Sequence, residues 1–218
     1  MFPTVISYYT QDTPYEKEAQ HLITSCEKFH LDYEIDGVPN LGSWGENCCY
    51  KPQFILQKIE KLQKPVVWVD ADAVFVQKPE ALRDLSSDFG LCIIEEIPDE
   101  HPCKMISGAL YTNHTEKVKQ LLKEWDKECK KHLDDDFCDQ IALRNILLKS
   151  DANISNLSLP YFTVLDMIED DSSIGDTVLI HFQASRTLKQ VINKEVMPFW
   201  DHDALSSEKK EFILNKLL

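Results

Sequence analysis

Basic charge is scarce in this chain. Against 37 Asp and Glu there are 23 Lys and Arg, a formal net charge of -14 over 218 residues, which argues against a general nucleic-acid or anionic-membrane surface because both need cations facing phosphate. Any phosphate ligand needs local help. No run approaches the ~20 apolar residues of a membrane span, and the N-terminal MFPTVISYYT is not a charged leader followed by a long apolar core, so a cytoplasmic enzyme is expected. The seven cysteines, at 26, 48, 49, 92, 103, 129 and 138, lack the CxxC spacing of a zinc site and the density of a stapled secreted domain. Reduced thiols are expected. The vicinal Cys48 and Cys49 read either as redox-active or as small buried thiols, and the sequons at Asn113, Asn153 and Asn156 carry no weight without an export signal. Repeats, low-complexity tracts and a Gly- and Ser-rich linker are also missing, while 43% hydrophobic content is enough for a sizeable core. One domain over 1–218 is the expectation.

What is present alternates strands with helices, the pattern of an α/β protein with a mostly parallel central sheet flanked by helices. TVISYY at 4–9 reads as a first strand, and the segment after Thr13-Pro14 puts Ala19, Leu22, Ile23 and Cys26 on one helical face. LDYEID at 31–36 reads as a second strand, VPNLGSWGEN as a loop, and KPQFILQKIEKLQ as a helix with Pro52 near its start. A third strand, VVWVD, precedes further strands at 89–94 and 105–111 and an amphipathic helix carrying Val118, Leu121, Leu122, Trp125 and Cys129 as core residues. Phe137 to Leu148 reads as another helix, followed by short strands near 160–165 and 177–182.

The third strand runs into PVVWVDADAVFV, and a buried strand ending in two aspartates two residues apart needs an explanation. In extended chain Asp70 and Asp72 face the same way with the small Ala71 and Ala73 beside them, so the two carboxylates converge. Ligands of open α/β sheets gather at the carboxyl ends of the strands. Hard oxygens suit Mg2+ or Mn2+, and such an ion recruits phosphates that an acidic protein otherwise repels. The alternative is a solvated strand end whose aspartates cap a turn.

PVVWVDADAVFVQKP, preceded by KPQFILQKI, resembles the DxD region of GT-A glycosyltransferases. MISGALYTN, DDFCDQIALRNIL and VLIHFQASRTLK resemble, in order, that family's small-residue strand, its Asp-Gln helix and its C-terminal His segment, over roughly residues 3 to 190. The likeness is greatest to retaining, family-eight-like transferases that use nucleotide-diphosphate sugars. It implies a nucleotide-binding part at about 1–90 and an acceptor and C-terminal part at about 91–218. It makes Asp70, Asp72 and His181 the ligands of Mn2+ or Mg2+, with Asp70 also placed to reach the donor, and a UDP-sugar the expected donor. Arg186 and Lys189 would neutralise the leaving diphosphate, with Lys51 a further diphosphate candidate. Tyr8, Tyr9 and Thr10 would hold the nucleoside, Ser107 and Gly108 would let backbone approach the sugar, and Asp139 and Gln140 would lie at its reacting side. The acceptor, whether glycan, lipid-linked sugar, protein or small molecule, is open.

Each residue has a plainer reading. His181 is alternatively a satisfied core histidine, Arg186, Lys189 and Lys51 surface charge, one of the tyrosines core, Gly108 the mark of a bulge, and Asp139 part of a capping run with Asp134, Asp135 and Asp136. The acidic Glu169, Asp170 and Asp171 read as a solvated loop. Two other functions remain. VWVDADAVFV also fits a haloacid-dehalogenase-like phosphatase with Asp70 as nucleophile and Asp72 as acid-base, although that motif normally opens its domain. A non-catalytic sugar-nucleotide-binding module is the third.

Overall fold

Strand β3 (Val66–Val69) is buried on both sides: Val66 and Trp68 face one hydrophobic cluster, Val67 and Val69 the other. A strand with two dry faces must be covered by further layers on both sides. In the computed structural model, which describes residues 2–168, 174–186, 188, 192 and 207–217, those layers are helices on one face and a helix plus a small sheet on the other.

The first half of the chain runs β1 (Thr4–Thr10), α1 (Tyr15–Lys28), β2 (Tyr33–Val38), α2 (Trp44–Cys49), α3 (Lys51–Leu62), β3 and β4 (Ala73–Phe75). It continues through β5 (Phe89–Ile93), β6 (Met105–Thr112), α4 (Glu116–Cys129), α5 (Cys138–Leu147), β7 (Ile154–Asn156), β8 (Thr163–Val164), β9 (Leu179–His181) and α6 (Ser207–Leu217). Six strands form the central sheet in the order β2-β1-β3-β6-β5-β7. It is mixed: β1 pairs parallel with β2 and β3, and β5 with β7, while β6 runs antiparallel to both β3 and β5. A second sheet, β4-β9-β8, stands beside it.

The expected amphipathic faces do pack inward. Phe54, Ile55 and Ile59 of α3 join Val118, Leu121, Leu122 and Trp125 of α4 and Leu143 of α5 on the Trp68 side. On the other side Leu22 and Cys26 of α1 meet Phe75 and Leu179, and the Ser25 hydroxyl accepts the Phe75 amide at 3.1 Å, tying α1 to β4. A third cluster, Val74, Leu165, Ile180 and Phe182, backs the small sheet and receives Ile213 of α6.

Three expectations change. The second strand lies at 33–38 rather than 31–36, because Leu31 is buried after the turn that ends α1 and extended pairing with β1 starts at Tyr33. VPNLGSWGEN is not all loop: Ser43 and Glu46 form a reciprocal capping box that starts α2, which satisfies two otherwise orphaned amides. The 160–165 segment contributes only the two residues of β8, the remainder being tight turns.

Gly45 in α2 lies against backbone: a Cβ there would sit 1.9 Å from the Leu133 carbonyl oxygen. Backbone gives way less readily than a side-chain tip. Gly45→Ala is therefore expected to destabilise the fold by about 1–3 kcal/mol, the usual cost of overpacking, read as a lower urea midpoint; an unchanged midpoint would separate α2 from the 133 segment.

Candidate functional site

Where β3 ends, the chain turns instead of continuing extended. The Asp70 carbonyl accepts the Ala73 amide at 3.0 Å, so Asp70 and Asp72 flank a tight turn that carries the chain from the large sheet into β4 of the small one. The convergence expected of a pleat is thus produced by a turn, because Ala73 must leave the β3 direction to pair with His181 of β9. The outcome for the side chains is the same. One oxygen of each carboxylate and a His181 ring nitrogen all lie within 4.8 Å of one another.

Each member is held by something else. Asp70 Oδ1 accepts from the Trp68 indole at 2.8 Å and pairs with Lys51 Nζ at 3.2 Å, while Oδ2 is the oxygen nearest Gly108. Asp72 Oδ2 accepts the Ala184 amide at 2.7 Å. His181 is 3% exposed and its ring is tilted against Phe162 at 4.9 Å. Its Nε2 is buried with no hydrogen-bond partner among the described residues. The unpartnered nitrogen weighs against the satisfied-core reading of His181, since a buried nitrogen without a partner carries a desolvation cost that a ligand would relieve. Burial holds the imidazole's pKa down at about 4 despite Asp70, which leaves it neutral and ready to donate a lone pair. Burial first and the Asp70 charge second push Asp72 up to about 7.

Gly108 makes room for this cluster. A Cβ on it would lie 2.9 Å from His181 Cε1 and 3.1 Å from Asp70 Oδ2. The pairing of β5 with β6 skips from Leu110 to Ile106 across this stretch, so Ser107 and Gly108 do lie in a bulge, one that delivers the Gly108 carbonyl to the Asp70 amide at 2.9 Å.

The surface reading of Lys51 is wrong. The residue is 5% exposed, and its ammonium donates to Asp139 Oδ2 at 2.6 Å and to Ser107 Oγ at 3.3 Å. Burial alone would lower its pKa, but the charges of Asp139 and then Asp70 outweigh that and raise it. Asp139 does not cap α5, whose first residue follows Phe137 with no side-chain cap; it faces inward, accepting Ser107 Oγ at 2.8 Å. Gln140 accepts the Ser107 amide at 3.1 Å and donates to the Pro102 carbonyl at 2.8 Å, bracing the bulge.

All of these groups border one cavity of about 510 Å³. Tyr9 and Thr10 line it, as does Tyr8, although Tyr8 is mostly core: its ring packs edge-on to Phe54 and its hydroxyl donates to the Asn47 carbonyl at 2.6 Å. Arg186 lines it too and is paired with Asp166. Lys189, like Glu169, Asp170 and Asp171, lies outside the described residues. Sequence reasoning missed Trp68, whose position two before Asp70 on the same strand face was the available signal. It also missed Tyr15, whose buried hydroxyl has no partner among the described residues and which borders the cavity at the start of α1.

Comparison with solved structures now decides the architecture. The crystal structure of a glycosyltransferase involved in the glycosylation of the major capsid of PBCV-1 matches with a TM-score of 0.65, covering 84% of this chain and 93% of that one at 11% identity. The chain has a glycosyltransferase fold. No family model and no curated protein sequence matches it, so the likeness is one of fold, and the chemistry rests on the cavity's own residues. Among the described residues, no helix is long and apolar enough to cross a membrane.

The Asp72 carboxyl offers a pH test in metal-free protein. A carboxyl whose pKa is raised on folding costs stability progressively as pH rises from its ordinary value of 3.8 to about 7, and the cost is constant above that. Asp72→Asn keeps an acceptor for the Ala184 amide and removes the charge. Its stability relative to the parent is expected to climb across that window and then level off in urea titrations, and a pH-independent difference would contradict the burial of this charge.

Proposed function

We propose that this chain is a metal-dependent glycosyltransferase of the GT-A, family-eight-like kind, moving a sugar from a nucleotide-diphosphate donor, a UDP-sugar, to an acceptor with retention of configuration. The observation that carries the reading is the meeting of two acidic side chains and a ring nitrogen of buried His181, whose Nε2 has no hydrogen-bond partner among the described residues, on one cavity wall. Hard carboxylate oxygens with one neutral imidazole fit Mn2+, with Mg2+ the alternative, and the missing Cβ of Gly108 leaves the space. When bound, such an ion supplies Lewis-acid stabilisation and orientation of the diphosphate leaving group.

The protein's own groups do the rest. Lys51 keeps Asp70 and Asp139 apart in role: Asp70 is held with Oδ2 towards Gly108, while Asp139 is fixed by an ion pair and a hydroxyl at the sugar's reacting side, with Gln140 beside it. A carboxylate fixed in this way stabilises positive character at the reacting carbon without reorganising. Ser107 and Gly108 let backbone come close to the sugar. Tyr9, Thr10 and the unpartnered Tyr15 hydroxyl serve the nucleoside, and Arg186, shared with Asp166, faces the departing charge with Lys189 its proposed companion. In this reading a nucleotide-binding part at about 1–90 and an acceptor part at about 91–218 form one domain, and the cavity volume lies within the usual range for small-molecule sites. The phosphatase reading gives His181 no task, and the transferase reading does.

His181→Ala is expected to lower Mn2+ affinity and UDP-sugar turnover together, by about 10 to 100-fold, the usual loss when a metal's ligands or their supports are removed. Calorimetry with Mn2+ and a thermal-shift panel of nucleotide sugars, with and without the ion, provide the measurement. Unchanged Mn2+ dependence in the variant, or a phosphomonoesterase activity that survives in it, would overturn the assignment.

A further inference from the structure

Behind Lys51 lies a second group of metal-binding atoms, whose thiols the proposed reaction does not use. Cys48 and Cys49 end α2, Cys129 ends α4 and Cys138 begins α5, and the helix packing brings all four thiols together. Cys48 contacts Cys138, and Cys49 contacts both Cys129 and Cys138. Further sulfur contacts run to backbone, from Cys49 to the Cys129 carbonyl and from Cys138 to the Gly45 carbonyl, each at 3.7 Å. All seven cysteines are free thiols. The sulfurs of Cys48 and Cys138 and a carboxylate oxygen of Asp139 lie within 4.8 Å of one another. A tetrahedral ion with ~2.3 Å bonds to sulfur sets its two sulfurs roughly 3.8 Å apart, so a small rotation of these side chains is enough.

We infer that Cys48, Cys138 and Asp139 form a site for a thiophilic divalent cation of the Zn2+ class, separate from the Asp70, Asp72 and His181 cluster and coupled to it through Lys51. Access is available because Cys48 and Asp139 both border the cavity while Cys138 is buried behind them. Three protein ligands leave a fourth position open to the cavity. Binding replaces two thiol protons: the ion takes up two thiolates and two protons go to solvent, so the charge of the pocket is unchanged and Asp139 still needs its Lys51 partner. Sulfur and oxygen ligands also sort the ions, soft Zn2+ to the thiols and hard Mn2+ or Mg2+ to the aspartates. A plain cluster of buried thiols explains Cys129 and Cys49, but it does not explain a carboxylate set among sulfurs with one thiol on the cavity wall.

The coupling is geometric. Asp139 Oδ2 and Asp70 Oδ1 share one ammonium, at 2.6 and 3.2 Å, so an ion drawing Asp139 towards the thiols shifts the balance on Lys51 and with it Asp70. Occupancy is expected to inhibit the reaction proposed above, a consequence that rests on that reading; the binding itself does not.

The test uses reduced full-length protein in excess Mg2+, titrated with Co2+ as a spectroscopic probe. One equivalent should give a thiolate-to-cobalt charge-transfer band that Zn2+ displaces, that Asp72→Asn retains, and that Cys48→Ser loses. In the unaltered protein, Zn2+ should protect Cys48 from maleimide, read by mass spectrometry, and leave Cys103 reactive, since Cys103 borders the same cavity but contacts Gln140 instead. Absence of the band, its survival in Cys48→Ser, or equal protection of both cysteines overturns the site. The band together with transfer unaffected by Zn2+ would overturn only the coupling, and a protein without transferase activity that still shows the band would leave the site standing.

Discussion

A single buried ammonium holds the candidate site together. Lys51 opens α3, Asp70 closes β3, Ser107 sits in the β6 bulge and Asp139 is in the first turn of α5, and their polar groups all meet at Lys51 Nζ. A cation taken from water this completely needs full compensation. The ordering of four segments far apart in sequence follows from that need, because moving Lys51, Asp70 or Asp139 breaks an ion pair and moving Ser107 removes a hydrogen bond from the buried ammonium. The Trp68 ring adds a further constraint, its face 5.2 Å from the ammonium while its N–H holds Asp70.

From this follows the imbalance that supports the proposed cation site. Asp70 and Asp139 share the Lys51 ammonium, Asp72 borders the same cavity, and the only basic side chain bordering it besides Lys51, among the described residues, is Arg186, already engaged by Asp166. Lys51 neutralises part of the charge and cannot leave. The remainder accumulates at Asp70 and Asp72, where burial resists it enough to push Asp72 up to about 7. In the proposed reading a divalent ion would balance two converging acids beside a neutral imidazole, and it would let a chain with a formal net charge of -14 accept a diphosphate through a local attraction that its surface field does not supply.

Much of the scaffold was legible because it obeys local rules. The strand at 66–69 and the helices at 51–62, 116–129 and 138–147 follow hydrophobic periodicity, and Asp70, Asp72 and His181 stood out as charged or titratable groups at the ends of apolar runs. What periodicity could not reveal was whatever depends on residues distant in sequence. Lys51 beside Pro52 looks like an exposed helix start until Asp139 is brought to it, and Cys48 and Cys138 show no ligand spacing because α2 and α5 supply one each. The α2 helix was missed for another reason, its capping box lying in a stretch whose Gly and Asn signal a loop. Arg186 was legible as a cation near the His segment but not as Asp166's partner.

The turn at Asp70 to Asp72 also explains why two sheets are needed. If β3 simply continued, both aspartates would stay in the large sheet and His181 could not approach them from the side. By turning, the chain enters β4, and pairing of Ala73 with His181 then places the imidazole beside the turn. Register is decisive here. Side chains alternate along a strand, so a slip of one residue between β4 and β9 would carry His181 to the opposite face, where Ile180 now fills the third cluster with Val74 and Phe182. Burying Ile180 in that cluster and presenting His181 to the cavity are therefore one structural choice, and the apolar packing behind the small sheet supplies the force that keeps a neutral imidazole beside two carboxylates.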